Sequence, residues 1–143
     1  YHGLHGMKTV AFRYTNVYGE RARHVGTYAP AVSKFLKMTR EGQPLTIFGD
    51  GSQRRDFIHV SDVVNANALI SFMELDNWGE VYNVGYGENW SIKDIADAIS
   101  DDQVFLSGKP GEMRETLADI RKAKSELTWK PKVNILDWIK TQL

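Results

Sequence analysis

The stretch Thr46-Ile47-Phe48-Gly49-Asp50-Gly51-Ser52-Gln53-Arg54-Arg55-Asp56-Phe57-Ile58-His59-Val60 leaves a folding chain few options. A short apolar run meets a Gly/Asp reversal, and a second run follows with two arginines at its entrance. Asp50-Gly51 supplies the residues that tolerate positive φ, so a tight hairpin is expected. From Arg55 onward the side chains alternate. That places Arg55, Phe57 and His59 on one face and Asp56, Ile58 and Val60 on the other. An arginine fixed at the mouth of a strand is placed to grip a phosphate through two parallel N–H bonds. A surface hairpin with solvated arginines fits the same residues.

The 143 residues suffice for one domain with one sizeable core, spanning 1–143. Eighteen basic residues balance eighteen acidic ones, so no global field points to nucleic acid or to an anionic membrane. An anionic ligand must therefore be held by a local site. The absence of cysteine excludes disulfides and thiolate metal sites, and no metal site is expected. No apolar run approaches the ~20 residues that span a bilayer, and no leader pattern opens the chain. A soluble, cytoplasmic protein is the expectation. The opening Tyr1 suggests a piece of something longer.

In chain order, 1–6 reads as a frayed helix end stopped by Gly6. Thr9 to Tyr14 reads as a strand buried on both faces of a parallel sheet. Asn16 and Tyr18 follow it, where open α/β sheets bind ligands; a turn residue and a packed aromatic are the alternative. A helix is expected over 27–41, capped by Thr27, with Ala31, Phe35 and Met38 inward and Gly42 at its end. Ser61 is expected to cap a second helix, 62–75, buried through Val64, Ala68, Phe72 and Leu75, with Asp62 at the positive end of its dipole. Residues 80–85 read as a strand ending in a Gly85-Tyr86-Gly87 turn. Ser91 and Asp94 form a capping box for a helix to about Ser100, and Val104 to Leu106 is a short strand. The loop 107–114 carries Lys109, Glu112 and Arg114 and serves equally as a cover for a polar ligand or as a solvated loop. Asp119 caps a helix with Ile120, Ala123 and Leu127 inward, and 135–143 is a last helix with Trp138 and Ile139 inward. The pattern is that of an α/β domain, or α+β for the isolated chain.

Together these segments resemble the carboxyl-terminal half of the NAD-dependent epimerase/dehydratase family, the extended short-chain dehydrogenase/reductases that act on nucleotide-diphosphate sugars. The resemblance rests on Phe12-Arg13-Tyr14-Thr15-Asn16-Val17-Tyr18-Gly19, on Pro44 to Gly51 running into Arg55-Asp56-Phe57-Ile58-His59-Val60-Ser61-Asp62-Val63, and on Tyr82-Asn83-Val84-Gly85. Pro110-Gly111-Glu112, Ala118-Asp119 and Leu127-Thr128-Trp129-Lys130-Pro131 complete it. It covers nearly the whole chain in order. It implies the substrate-binding half of an extended Rossmann-type epimerase without most of the dinucleotide-binding sheet.

The resemblance implies that Asn16 lies near sugar and diphosphate, Phe48 against the base, and Arg55 on the diphosphate. Lys109 and Glu112 would reach phosphate and ribose, and Tyr14 and Asn16 would border the NAD cofactor. Guanidinium, aromatic face and carboxylate each suit the partner assigned. Glu20 stands where many members have proline, and Lys109 where many have arginine, which replaces a fork by a point charge. His59 is expected to order the local backbone. No tyrosine here is followed four residues later by lysine, and no glycine-rich turn follows a first strand. The family's catalytic base and its cofactor turn are thus absent from these residues, no catalytic residue is assigned, and the chain alone is expected to be inactive. Three readings stand. The first is the nucleotide-sugar-binding portion of an epimerase, 4-epimerase-like, or of a 4,6-dehydratase, joined to a missing amino-terminal half. The second is a non-catalytic nucleotide-sugar-binding module. The third is a fragment that forms homo-oligomers through the open edge of its first strand.

Overall fold

The computed structural model describes residues 1–26, 29–76, 78–108 and 110–143. In chain order the elements are α1 (His2–His5), β1 (Ala11–Tyr14), β2 (Asn16–Tyr18), α2 (Ala31–Arg40), β3 (Leu45–Phe48), β4 (Arg54–Arg55), β5 (Phe57–His59) and α3 (Val60–Phe72). Then come β6 (Val81–Val84), β7 (Trp90–Ser91), α4 (Ile92–Asp97), β8 (Gln103–Leu106), α5 (Arg121–Glu126) and α6 (Ile135–Lys140). The strands pair two by two. Three pairs are parallel: β1 with β6, β2 with β5, and β3 with β8. β4 and β7 form the antiparallel pair. Parallel neighbours joined through helices make this an α/β fold.

The hairpin expected over 46–60 does not form. β3 pairs with β8 and β4 with β7, because the reversal between them is bonded to the start of α4 instead. Lys93 N–H donates to Gly51 O at 2.9 Å and Ile92 N–H to Gln53 O at 3.0 Å. Positive φ falls on Gly49 (70°) and Gly51 (76°), not on Asp50. Asp50 instead closes the turn with its side chain, Oδ1 accepting from Ser52 N–H at 2.9 Å.

The β2–β5 pair separates two cores. Phe57 and Tyr18 enter one with Phe35, Leu36, Ile95 and Ile139; Ile58 enters the other with Tyr82, Val84, Leu127 and Trp129, and Val17 packs against it. Adjacent residues of β5 thus point to opposite sides, as alternation requires, yet both sides are interior. Val60 departs from the pattern because the chain has already turned into α3.

α2 starts at Ala31 with Pro30 as its cap and buries Val32, Phe35 and Leu36; the Thr27 cap falls outside the described residues. Gly42, at φ 66°, follows its end. The capping box at Ser91 and Asp94 forms with both of its bonds. α5 begins at Arg121, whose N–H donates to Asp119 Oδ1 at 3.0 Å, and Ile120, Ala123 and Leu127 are buried. Trp138 and Ile139 turn inward from α6.

Three further expectations are corrected. Ala11, Arg13 and Tyr14 of β1 are exposed, because among the described residues only β6 flanks the strand and only Phe12 reaches a core. α3 is rotated relative to the expected stripe: Val64 is 61% and Phe72 89% exposed, while Asp62 and Ala66 are buried. The cause is Asp62, whose Oδ2 accepts from Lys132 N–H and Val133 N–H at 3.0 Å each. Holding that carboxylate inside turns the line through Val60, Val64, Ala68 and Phe72 outward. His59, not Ser61, caps the helix, its Nδ1 accepting from Ser61 N–H at 3.2 Å. Among the described residues no helix is long and apolar enough to cross a membrane.

Candidate functional site

A cleft opens beside β2, β3 and β4. Its three adjoining lobes all touch Glu112. The first, about 490 Å³, is polar on one wall, with Thr15, Asn16 and Arg55, and apolar on the other, with Phe57 and Ile92. The second, about 300 Å³, is largely apolar, lined by Phe35, Met38, Phe48 and Ile92 with Thr46 and Gln53. The third, about 310 Å³, runs along the other side of Phe48 past Gly49, Asp50, Ser52, Gly108 and Arg114. A cleft with two mixed lobes flanking a largely apolar one has room for an elongated ligand whose chemistry changes along its length.

The two adjacent arginines serve different partners, as their positions on a strand require. Arg54 turns away from the cleft, donating from Nε to Asn89 Oδ1 at 2.7 Å, with Asp94 Oδ2 3.7 Å from Nη1. Arg55 turns into it. Its Nη1 donates to Arg54 O at 2.8 Å, and its Nη2 lies 3.5 Å from Glu112 Oε1. The Arg55 side chain is 15% exposed and that of Glu112 34%, so the guanidinium is largely withdrawn from water while one edge still faces the first lobe.

Beside Arg55, the carboxylate of Asp56 is fully buried. Its Oδ1 accepts from Tyr86 N–H at 2.7 Å and Thr15 Oγ1–H at 3.1 Å. Its Oδ2 accepts from Gly87 N–H and Ala118 N–H, each at 3.1 Å. Four donors from three separate segments satisfy a charge that has no ion pair among the described residues, which is what permits it to be interior. Its own carbonyl accepts from Asn16 N–H at 3.0 Å and from Asn16 Nδ2–H at 2.9 Å. One residue therefore fixes the place of both Asn16 and Arg55. The Gly85-Tyr86-Gly87 turn exists around this carboxylate: a Cβ on Gly85 would lie 2.8 Å from Asp56 Oδ2 and 2.8 Å from Thr15 Cγ2.

Of the residues expected at a site, Asn16, Phe48, Arg55 and Glu112 line this one cleft. Lys109 lies outside the described residues. Tyr14 is not among the residues lining the lobes; its hydroxyl donates to Asn67 Oδ1 of α3 at 3.2 Å. Tyr18, a candidate by position, is a packed aromatic. Its hydroxyl donates to Val133 O at 3.2 Å, and burial pushes its pKa well above the ordinary tyrosine value. His59 is likewise interior, ring to ring with Tyr18 at 5.1 Å and Trp138 at 5.8 Å. Glu20 accepts from Trp138 Nε1–H at 3.0 Å, and that bond holds its carboxyl below the usual range. Two contributors were not expected from sequence, and a third, Arg114, was expected only as part of a loop that covers a ligand or is solvated. Asp56 organises the cleft floor, Gln53 Nε2–H donates to Phe48 O at 3.0 Å, and Arg114 borders the third lobe. An acid directly ahead of the apolar pair Phe57-Ile58 was the available signal for Asp56; nothing local marked Gln53.

Residues 1–85 match the NAD dependent epimerase/dehydratase family. A putative UDP-glucose 4-epimerase of Methanocaldococcus jannaschii is 37% identical over 147 residues, covering 98% of this chain and 46% of that protein. Among solved structures, the UDP-glucose 4-epimerase of Thermotoga maritima with UDP-glucose superposes with a TM-score of 0.88 at 31% identity, over 99% of this chain and 46% of that one. The UDP-glucuronic acid 4-epimerase of Bacillus cereus, in complex with UDP-glucuronic acid and NAD, superposes with a TM-score of 0.83 at 34% identity, over 99% and 46%. The chain thus spans about half the length of the relatives it matches. The family match spans more than half of the chain and the superposition nearly all of it, and the chain belongs to the NAD-dependent epimerase/dehydratase family.

Proposed function

We propose that this chain is the nucleotide-sugar-binding portion of a UDP-sugar epimerase, with 4-epimerisation as the reaction of the whole enzyme. The observation that carries the reading is the convergence of Arg55, Asn16 and Glu112 on one cleft whose adjoining apolar lobe presents Phe48. Arg55 holds the diphosphate, Phe48 packs on the base, Glu112 accepts from the ribose hydroxyls, and Asn16 lies toward the sugar. Lys109, from its place in the sequence, adds a second cation at the phosphates. NAD, present in the B. cereus relative, would supply the hydride chemistry when bound, and on the family resemblance Asn16 and Tyr14 of this chain would border it. The Tyr/Lys base pair and the cofactor turn are not among these residues, so turnover needs residues beyond them.

Calorimetric titration of UDP-glucose onto wild type, Arg55→Ala and Arg54→Ala tests the assignment. Arg55→Ala is expected to lose roughly 1.5–3 kcal/mol of binding, the scale of hydrogen bonds to charged groups. Arg55→Lys recovers only part, because an ammonium cannot reproduce the fork. Arg54→Ala, pointing at Asn89, is expected to bind nearly as wild type. Equal losses at both positions would mean a general basic patch, and no loss at Arg55 would remove the diphosphate assignment.

A further inference from the structure

Building on the assignment of Arg55 to the diphosphate, we propose that Glu112 is a self-binding latch: its carboxylate pairs with Arg55 where the ligand's phosphate would sit, and phosphate displaces it. Among the described residues, Glu112 is the one acidic side chain in ion-pair contact with Arg55. The contact is loose. At 3.5 Å it is well beyond the 2.7–2.9 Å of a tight charge-assisted bond, whereas Arg121 and Asp119 stand at 2.6 Å. A guanidinium with 15% exposure gains from any anion it can reach, and a loose pair orients it without holding it firmly.

Position makes the contact consequential. Glu112 borders all three lobes, so a carboxylate resting on Arg55 sits where the first lobe meets the two lined by Phe48. A diphosphate entering there brings like charge against it, and the two anions compete for one guanidinium. The backbone has room to yield: Gly111 is at φ 75°, and a Cβ built there meets no atom within 4 Å. Released from Arg55, the same carboxylate is free to accept from hydroxyl groups of the ligand. The phosphate thereby exposes the acceptor that reads the rest of the molecule.

The test uses the full chain and inorganic pyrophosphate, which carries the phosphates without the ribose. Calorimetric titrations compare wild type, Glu112→Gln, Asp50→Asn, Arg55→Ala and the double variant Glu112→Gln/Arg55→Ala. Asp50 lines the third lobe but does not touch Arg55, so its neutralisation controls for the general field. Glu112→Gln is expected to bind pyrophosphate about fivefold more tightly than wild type, the upper range for a partly exposed ion pair. Asp50→Asn should show much less gain, and Glu112→Gln none on the Arg55→Ala background. The latch is overturned if Glu112→Gln binds equally or more weakly, if neither it nor wild type binds, if Asp50→Asn gains as much, or if the gain survives loss of Arg55. Wild-type affinity in Arg55→Ala would instead overturn the diphosphate assignment itself. Matching thermal unfolding of all variants confirms that folded proteins are compared.

Discussion

Asp56→Asn is the substitution that most sharply tests how the cleft is held together. The carboxylate is fully buried and accepts four bonds, two on each oxygen. A carboxamide has one oxygen and one NH₂. Whichever way it is turned, the NH₂ faces two donors that formerly met an acceptor. With each unsatisfied buried donor costing ~1–3 kcal/mol and some relaxation, a loss of about 2–4 kcal/mol of stability is expected. Asp56→Ala removes both oxygens and should cost more, about 3–5 kcal/mol, partly offset if water enters the space. Against a typical total of ~5–15 kcal/mol these are large fractions. Urea unfolding with linear extrapolation measures the change. Amide hydrogen exchange locates it: Tyr86, Gly87 and Ala118 should lose protection ahead of amides in α2. Stability within about 0.5 kcal/mol of wild type, or unchanged exchange at those three amides, would refute the view that this carboxylate organises the site.

Gly85→Ala should destabilise the chain by about 1–3 kcal/mol in the same urea assay, since its Cβ would meet Asp56, Thr15 and Ala118 at 2.8 Å each. Phe72→Ser should change stability by less than about 0.5 kcal/mol in that assay, because the ring is 89% exposed. In alkaline titration followed by tyrosine absorbance, Tyr82 should ionise near pH 12, held up by burial and by its bond to Glu126, with Tyr18 ionising no earlier. Since these groups keep their protons in the fold, their contribution to stability is complete below about pH 10 and lost as pH rises toward 12. All six tyrosines titrating together near pH 10 would contradict that. The chain assayed alone with UDP-glucose and NAD should show no epimerisation by product analysis, given the missing Tyr/Lys pair.

The sequence was most legible where local chemistry decides the outcome. Gly6 and Gly42 end helices, Ser91 and Asp94 cap one, and Ile120, Ala123 and Leu127 bury one face, because each effect acts within a few residues. It was least legible where a distant partner overrides the local pattern. Asp50-Gly51 satisfies a hairpin turn, yet the amides that meet it belong to α4, some forty residues on. α3 carries apolar residues around most of its circumference, so periodicity alone could not choose a buried face. The choice was made by Asp62 and the amides of Lys132 and Val133. The same holds at the site. Arg55 could be read from strand alternation beside Arg54, but Asp56 acquires its four donors only when residues 15, 86, 87 and 118 converge.

The central claim is that one cleft holds a nucleotide sugar, with phosphate at Arg55 and base at Phe48. Backbone amide chemical shifts of the chain, recorded during titration with UDP-glucose, test it most directly. The account predicts saturable shifts at Asn16, Phe48, Arg55 and Glu112, strongly reduced in Arg55→Ala. Shifts confined to the surface between residues 20–24 and α6, or an unaltered response in Arg55→Ala, would contradict it.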